Sequence, residues 1–125
     1  MTPETPAARR ILVVDDEPLM ARSLDRHFRR QGCSVRIAAS LAEAAGAAGE
    51  GPWDLVLLDV SLPDGSGLAL ITRLRAAGPI LLMTGESHAI APDGVSGIIH
   101  KPFDLPELER KVRALWDQRA RASGA

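Results

Sequence analysis

Short apolar runs recur along the chain, and each stops at a polar side chain. Ile11-Leu12-Val13-Val14 ends at Asp15-Asp16, Asp54-Leu55-Val56-Leu57-Leu58 at Asp59, Pro79 to Met83 at Thr84, and Gly97 to His100 at Lys101. Runs of this kind suit strands buried on both faces of a parallel sheet. Ser34 to Ala38 reads as a weaker fifth member. Helical spacing fills the gaps. After Pro18, Met20, Leu24, His27 and Phe28 share one face. Ser40-Leu41-Ala42-Glu43 is a capping box at the head of an Ala-rich helix, and Leu68 to Ala76 follows a turn containing Pro63, Gly65 and Gly67. Asp104-Leu105-Pro106-Glu107 opens a last helix on which Leu105, Leu108, Val112 and Leu115 repeat. This alternation predicts an α/β fold with a doubly wound parallel sheet, whose ligand site lies beyond the carboxyl ends of the strands.

Composition narrows the function. A chain of 125 residues with 46% apolar and 25% charged residues suits one domain. A net charge of −1 offers no basic field for nucleic acid. Cys33 is the only cysteine, which excludes an internal disulfide or cysteine-based zinc site and fits a reducing cytoplasm. No apolar run reaches membrane-span length. The small, Pro-rich residues 1–8 read as a loose N-terminal arm, and residues 119–125 as a frayed tail, bounding a domain over 9–118.

The strand ends then become a site. Asp15 and Asp16, Asp59, Thr84 and Lys101 all directly follow apolar runs, so the fold brings them to one edge. Converging carboxylates repel one another unless a cation sits among them, and oxygen ligands of this kind select Mg²⁺. Lys101, one of only two lysines against thirteen arginines, is a point charge suited to a phosphoryl group, and Thr84 adds a hydroxyl. Together they describe phosphoryl transfer to an aspartate. Each residue alone has an ordinary reading: Asp16 as a cap for the first helix, Thr84 and Lys101 as surface decoration.

The order and spacing of these pieces resemble a receiver domain of the two-component response regulators. The matching segments are Ile11 to Pro18, Asp54 to Asp59, Leu62-Pro63 with Gly67, Thr84, and Lys101-Pro102-Phe103, spanning residues 9 to about 117. The resemblance implies a flavodoxin-like five-stranded sheet of order 2-1-3-4-5. It also implies Asp59 as phosphoacceptor and catalytic roles for Thr84 and Lys101 on the phosphoryl oxygens. Mg²⁺ would be held by Asp15, directly or through water, with Asp16, Asp59 and the backbone carbonyl of Ser61. The Lys101-Pro102 bond would be cis. A histidine kinase or His-containing phosphotransfer protein would supply the phosphoryl group, slow self-hydrolysis would remove it, and Thr84 would move toward it as the switch. The output would pass to a downstream protein rather than to nucleic acid or membrane, from a cytoplasmic monomer or weak dimer, standing alone or cut from a longer regulator or hybrid kinase.

Two departures from that family carry consequences. Ile98 stands where the family usually has an aromatic ring, which removes an aromatic rotamer switch. Thr84 and Lys101 are too close in sequence for a full helix between strands four and five, and Pro92 with Gly85 and Gly94 breaks the segment. The helix there, fourth of the usual five, is expected to be absent or about one turn long. Met83-Thr84-Gly85 partly resembles a receiver subfamily with a Phe-Ala-Thr-Gly motif that lacks this helix, although Ile80, Leu82 and Met83 differ. The common dimer face of DNA-binding regulators would change with it.

Smaller features have plain readings too. Arg22, Arg26, Arg29 and Arg30 form a stripe that is either a solvated face or a kinase dock. His88 and His100 read as satisfied or exposed histidines, and Glu86 as a loop acid or a residue setting the acyl-phosphate lifetime. Two other functions fit less well. A haloacid-dehalogenase-type phosphatase wants a second aspartate where Ser61 stands, and a pseudo-receiver would not need the full residue set. The chain is therefore expected to be a phosphorylated signalling module rather than an enzyme with an external substrate.

Overall fold

The computed structural model describes residues 8–86 and 88–123; residues 1–7, most of the expected N-terminal arm, lie outside the described residues, as do residues 124 and 125. Five parallel strands form the sheet: β1 (Arg10–Val14), β2 (Ser34–Ala38), β3 (Leu55–Asp59), β4 (Ile80–Thr84) and β5 (Gly97–His100). Their order is β2-β1-β3-β4-β5, as the family resemblance implies, and all pair in parallel, as the alternating pattern predicts. The helices are α1 (Pro18–Arg30), α2 (Leu41–Ala48), α3 (Ile71–Arg75) and α4 (Leu105–Ser123). No helix among the described residues is long and apolar enough to cross a membrane.

Strand side chains alternate between two cores. Leu12, Val14, Val56, Leu58, Ile80 and Leu82 face α2 and α3, packing on Ala44, Ala47, Ile71 and Leu74. Ile11, Val13, Leu55, Leu57, Leu81, Met83 and Ile99 face α1 and α4, packing on Leu24, Phe28, Leu108 and Val112. Burial on both faces explains why β1, β3 and β4 read as unbroken apolar runs. The chain entering β1 is clamped at the far end of the sheet. There the Arg9 guanidinium lies 4.0 Å from the Trp116 ring centre and that of Arg10 4.3 Å from Trp53.

Between β4 and β5 no helix forms among the described residues, as the length and composition of the segment predict. The chain returns through turns closed by Glu86 and Pro92 carbonyls, and Gly94 takes a left-handed φ of 94° hard against Ile71 and Arg75. Val95 and Ile98 supply some of the apolar cover that a helix would otherwise give.

Three local details differ from the sequence reading. Instead of one helix over Leu68 to Ala76, a 3₁₀ turn (Gly67–Leu70) leads into a five-residue α3, because Ser66 Oγ caps the Leu68 N–H at 3.2 Å and starts the tighter winding. Helix α2 has the expected Ser40 Oγ to Glu43 N–H cap at 3.1 Å, but Glu43 reaches back to the Ala39 N–H rather than to Ser40. Its remaining free donors, Leu41 and Ala42 N–H, bond Asp64 from the loop after β3 at 2.8 and 3.2 Å. Helix α4 is capped by Asp104 as expected and runs to Ser123, past Arg119, through residues with high helix propensity.

Candidate functional site

Each strand end delivers the polar group that the sequence assigned to it. Asp15 follows β1, Asp59 and Thr84 close β3 and β4, and Lys101 follows β5. Asp15, Asp59 and Thr84 are the buried polar residues of the fold among the described residues, whereas Asp16 is exposed. One carboxylate oxygen from each of Asp15, Asp16 and Asp59 lies within 4.8 Å of the others. Lys101 reaches into this group, with Nζ 3.1 Å from Asp59 Oδ2 and 3.3 Å from Asp15 Oδ2.

Local backbone orients the carboxylates. Asp15 Oδ1 accepts the Glu17 N–H at 2.9 Å, and Asp59 Oδ1 accepts the Ser61 N–H at 3.1 Å. Two residues beyond each aspartate, the chain thus holds one oxygen and leaves the other for Lys101. Thr84 Oγ1 accepts the Glu86 N–H at 3.1 Å, and the Lys101 N–H donates to the Thr84 carbonyl at 2.6 Å. The Lys101–Pro102 bond is cis. Gly67 is required beside Asp59: its N–H donates to the Val60 carbonyl at 2.6 Å, and a Cβ there would stand 2.1 Å from the Asp59 carbonyl oxygen.

The electrostatics follow from this crowding. Burial pushes the Asp15 carboxyl up, the Glu17 N–H and Lys101 pull it back, and it stays above the ordinary carboxylate value. Burial pulls the Lys101 ammonium down, but the hydrogen bond and charge of Asp59 and Asp15 outweigh it and hold Lys101 above its usual value. Asp15 and Asp59 share this one ammonium, Glu17 Oε1 lies 3.9 Å from it, and the Asp16 carboxylate adds a further negative charge to the cluster. The excess negative charge suits a hard divalent cation bound through oxygen.

Asp16 does not cap α1. The cap position is Glu17, which makes no side-chain cap bond, so the Asp16 carboxylate is left to the acidic cluster. Two contributions were missed by sequence reasoning. Glu17 lies in the matched motif, yet nothing in its spacing announced proximity to Lys101. Asp64 ties the loop that carries Ser61 to the N-terminus of α2, a contact across 23 residues of chain with no local signature.

A family model described as the response regulator receiver domain matches residues 11–113. The chain belongs to the response regulator receiver domain family. This receiver domain is 40% identical over 113 residues to the transcriptional activator protein PfeR of Pseudomonas aeruginosa, which covers 85% of this chain and 37% of PfeR. It spans about half the length of other curated transcriptional regulators that it matches. Among solved structures, TrrA of Thermotoga maritima in complex with Mg²⁺ and BeF is similar at a TM-score of 0.75 and 33% identity, covering 86% of this chain and 98% of that one. A response regulator of Burkholderia pseudomallei with a phosphorylated aspartic acid, a calcium ion and citrate is similar at 0.76 and 28%, covering 94% and 73%. The fold and the acidic pocket are thus those of a receiver domain of two-component systems, and the phosphatase reading is not favoured.

Proposed function

We propose that this receiver domain accepts a phosphoryl group on Asp59 from a phosphohistidine of a kinase or phosphotransfer protein. The observation that carries the reading is the contact of Lys101 Nζ with Asp59 Oδ2 beside the Asp15, Asp16 and Asp59 oxygens. Mg²⁺ fits this donor set, held by the three carboxylates and the Ser61 carbonyl. When bound, the ion supplies charge that offsets the incoming phosphoryl oxygens.

The remaining work falls to the chain itself. An Asp59 oxygen forms the new O–P bond as the donor's P–N bond breaks, and the imidazole leaves with the bonding pair. The Ser61 N–H and Lys101 hold the two Asp59 oxygens in place for that attack. Lys101 balances the phosphoryl charge and Thr84 donates its hydroxyl to it, drawing Thr84 toward Asp59. With Ile98 on β5, no aromatic ring at that position follows the movement.

The partner docks on α1 in this reading. Arg22, Arg26 and Arg30 are exposed at successive turns beside Leu19, which is 80% exposed, and none of the three has an ion pair among the described residues. An acidic amphipathic helix would satisfy both charge and apolar surface there. No nucleic-acid contact is assigned to this chain, whose net charge is −1.

Incubation with Mg²⁺ and acetyl phosphate or phosphoramidate tests the proposal by mass. One phosphoryl group is expected in the native chain and none in Asp59→Asn. Turnover of varied phosphomonoesters would instead indicate a phosphatase, and no modification by any donor or kinase a pseudo-receiver.

A further inference from the structure

Just past β3 the chain folds back on itself, and Ser61–Leu62 pairs antiparallel with Gly65–Ser66 across Pro63 and Asp64. This short hairpin is gripped at both ends. At its base, Asp59 Oδ1 accepts the Ser61 N–H at 3.1 Å and the Gly67 N–H donates to the Val60 carbonyl at 2.6 Å. At its tip, the exposed Asp64 carboxylate accepts the Leu41 N–H at 2.8 Å with Oδ1 and the Ala42 N–H at 3.2 Å with Oδ2. Gly65 takes a φ of 145° against α2, where a Cβ would stand 2.8 Å from Leu41 Cδ1. The Leu41 N–H, against burial and with help from the Ala42 N–H, holds the Asp64 carboxyl below its ordinary value.

Helix α2 already has its own cap in Ser40, whose Oγ accepts the Glu43 N–H at 3.1 Å. Asp64 comes from 23 residues further along the chain and takes donors that Ser40 leaves free, so its carboxylate joins two elements rather than finishing one. Ser61, whose carbonyl is assigned to Mg²⁺ above, lies three residues before Asp64 on the same hairpin. We propose that Asp64 is a positioning residue for the metal site: by pinning the hairpin tip to α2, it holds the Ser61 carbonyl in place for Mg²⁺. A hairpin released at its tip must be ordered again when the ion binds. Fixing the backbone of about one residue weakens the apparent affinity about fivefold. The coupling is reciprocal, so an ion that prefers the pinned hairpin by about fivefold makes release of the Leu41 and Ala42 N–H groups about fivefold rarer. Asp64 thereby passes occupancy of the metal site on to the first turn of α2. The inference rests on the Mg²⁺ site proposed above.

The test uses the full chain and Mg²⁺ alone, titrated by backbone amide NMR. Asp64→Ala should bind Mg²⁺ about fivefold more weakly than the native chain. Asp64→Asn, which keeps an oxygen for the Leu41 N–H but not the charge, should stay within about twofold of it. Ser40→Ala removes a cap bond of the same helix that the hairpin does not share. It should lower the urea midpoint and leave Mg²⁺ affinity unchanged. In the native chain, saturating Mg²⁺ should slow hydrogen exchange of the Leu41 and Ala42 amides about fivefold, a reading that stands even if Asp64→Ala does not fold. Exchange at these amides unchanged by Mg²⁺ overturns the inference, and so does an Asp64→Ala affinity equal to the native one. An equal loss in Ser40→Ala would reduce the effect to helix stability, and Asp64→Asn as weak as Asp64→Ala would reduce it to lost charge; either result overturns it. If the native chain binds no Mg²⁺, the metal site itself fails before any variant is made, and the inference falls with it. Mg²⁺ binding at the expected affinities with Asp59 left unmodified by every donor would defeat phosphorylation alone and support the role of Asp64.

Discussion

Replacing Lys101 with methionine removes the ammonium that Asp15 and Asp59 share while keeping a side chain of similar length. At contacts of 3.3 and 3.1 Å, each pair is worth about 5 kcal/mol of Coulomb energy at an effective dielectric of 20. Desolvating the ions returns several kcal/mol of that. The Lys101 side chain is 18% exposed, so water can partly replace the lost charge and the net cost falls below that of a sealed pair. Lys101→Met should therefore destabilise the metal-free protein by about 1–3 kcal/mol. Mg²⁺ competes for the same carboxylates, so saturating Mg²⁺ should recover part of the loss. Linkage ties the two results together: if the cost shrinks by about 1.4 kcal/mol, the variant must bind Mg²⁺ about tenfold more tightly. Urea unfolding followed by circular dichroism, in EDTA and in saturating Mg²⁺, measures the stabilities, and an independent Mg²⁺ titration measures the affinity. An equal cost in both buffers with unchanged Mg²⁺ affinity would refute the claim that ammonium and metal share these oxygens.

Other perturbations test the supporting structure. Gly67→Ala forces a Cβ onto the Asp59 carbonyl oxygen and should cost about 3 kcal/mol by urea unfolding, the upper end for overpacking. Glu109 on α4 feels burial that raises its carboxyl, but Gln31 just past α1, His27 on α1 and nearby charge hold it below its ordinary value of 4.5. Its contribution is present above that value and lost as the pH falls through the lower folded value. Glu109→Gln should therefore lower the midpoint of thermal unfolding at pH 6, and the difference from the native chain should close in acid. Reversing charge at Arg22 and Arg26 should slow phosphotransfer from a cognate kinase and leave the acetyl phosphate reaction unchanged.

The four strand-end groups were legible because each apolar run stops at the residue that matters. Thr84 and Lys101 illustrate why: in a parallel sheet every strand leaves at the same edge, so a one-dimensional position becomes a place in the site. That no helix forms among the described residues between β4 and β5 was legible too, since Pro92 and Gly94 leave no stretch long enough to nucleate one. Asp64 was not, because its partners Leu41 and Ala42 belong to a helix that reaches it only after the sheet is assembled. Asp16 was read partly as a cap, a local role set by propensity. Convergence of β1 with β3 gave it the acidic cluster instead.

By itself, the sequence determined the period of its apolar residues, hence the alternation of strand and helix, the sheet class and the chemistry available at one edge. Those properties are local, since side-chain periodicity and a polar stop need no distant partner. The tertiary structure decided what depends on separation in space. It set the contacts of Lys101 Nζ with two carboxylates, the close approach of Gly67 to Asp59, and the state of His100. The sequence marked His100 as satisfied or exposed. Only the register of β5 against β4, with the packing around it, left Nε2 buried beside Thr84 without a partner, because burial and pairing are properties of neighbours that the chain brings together only when folded.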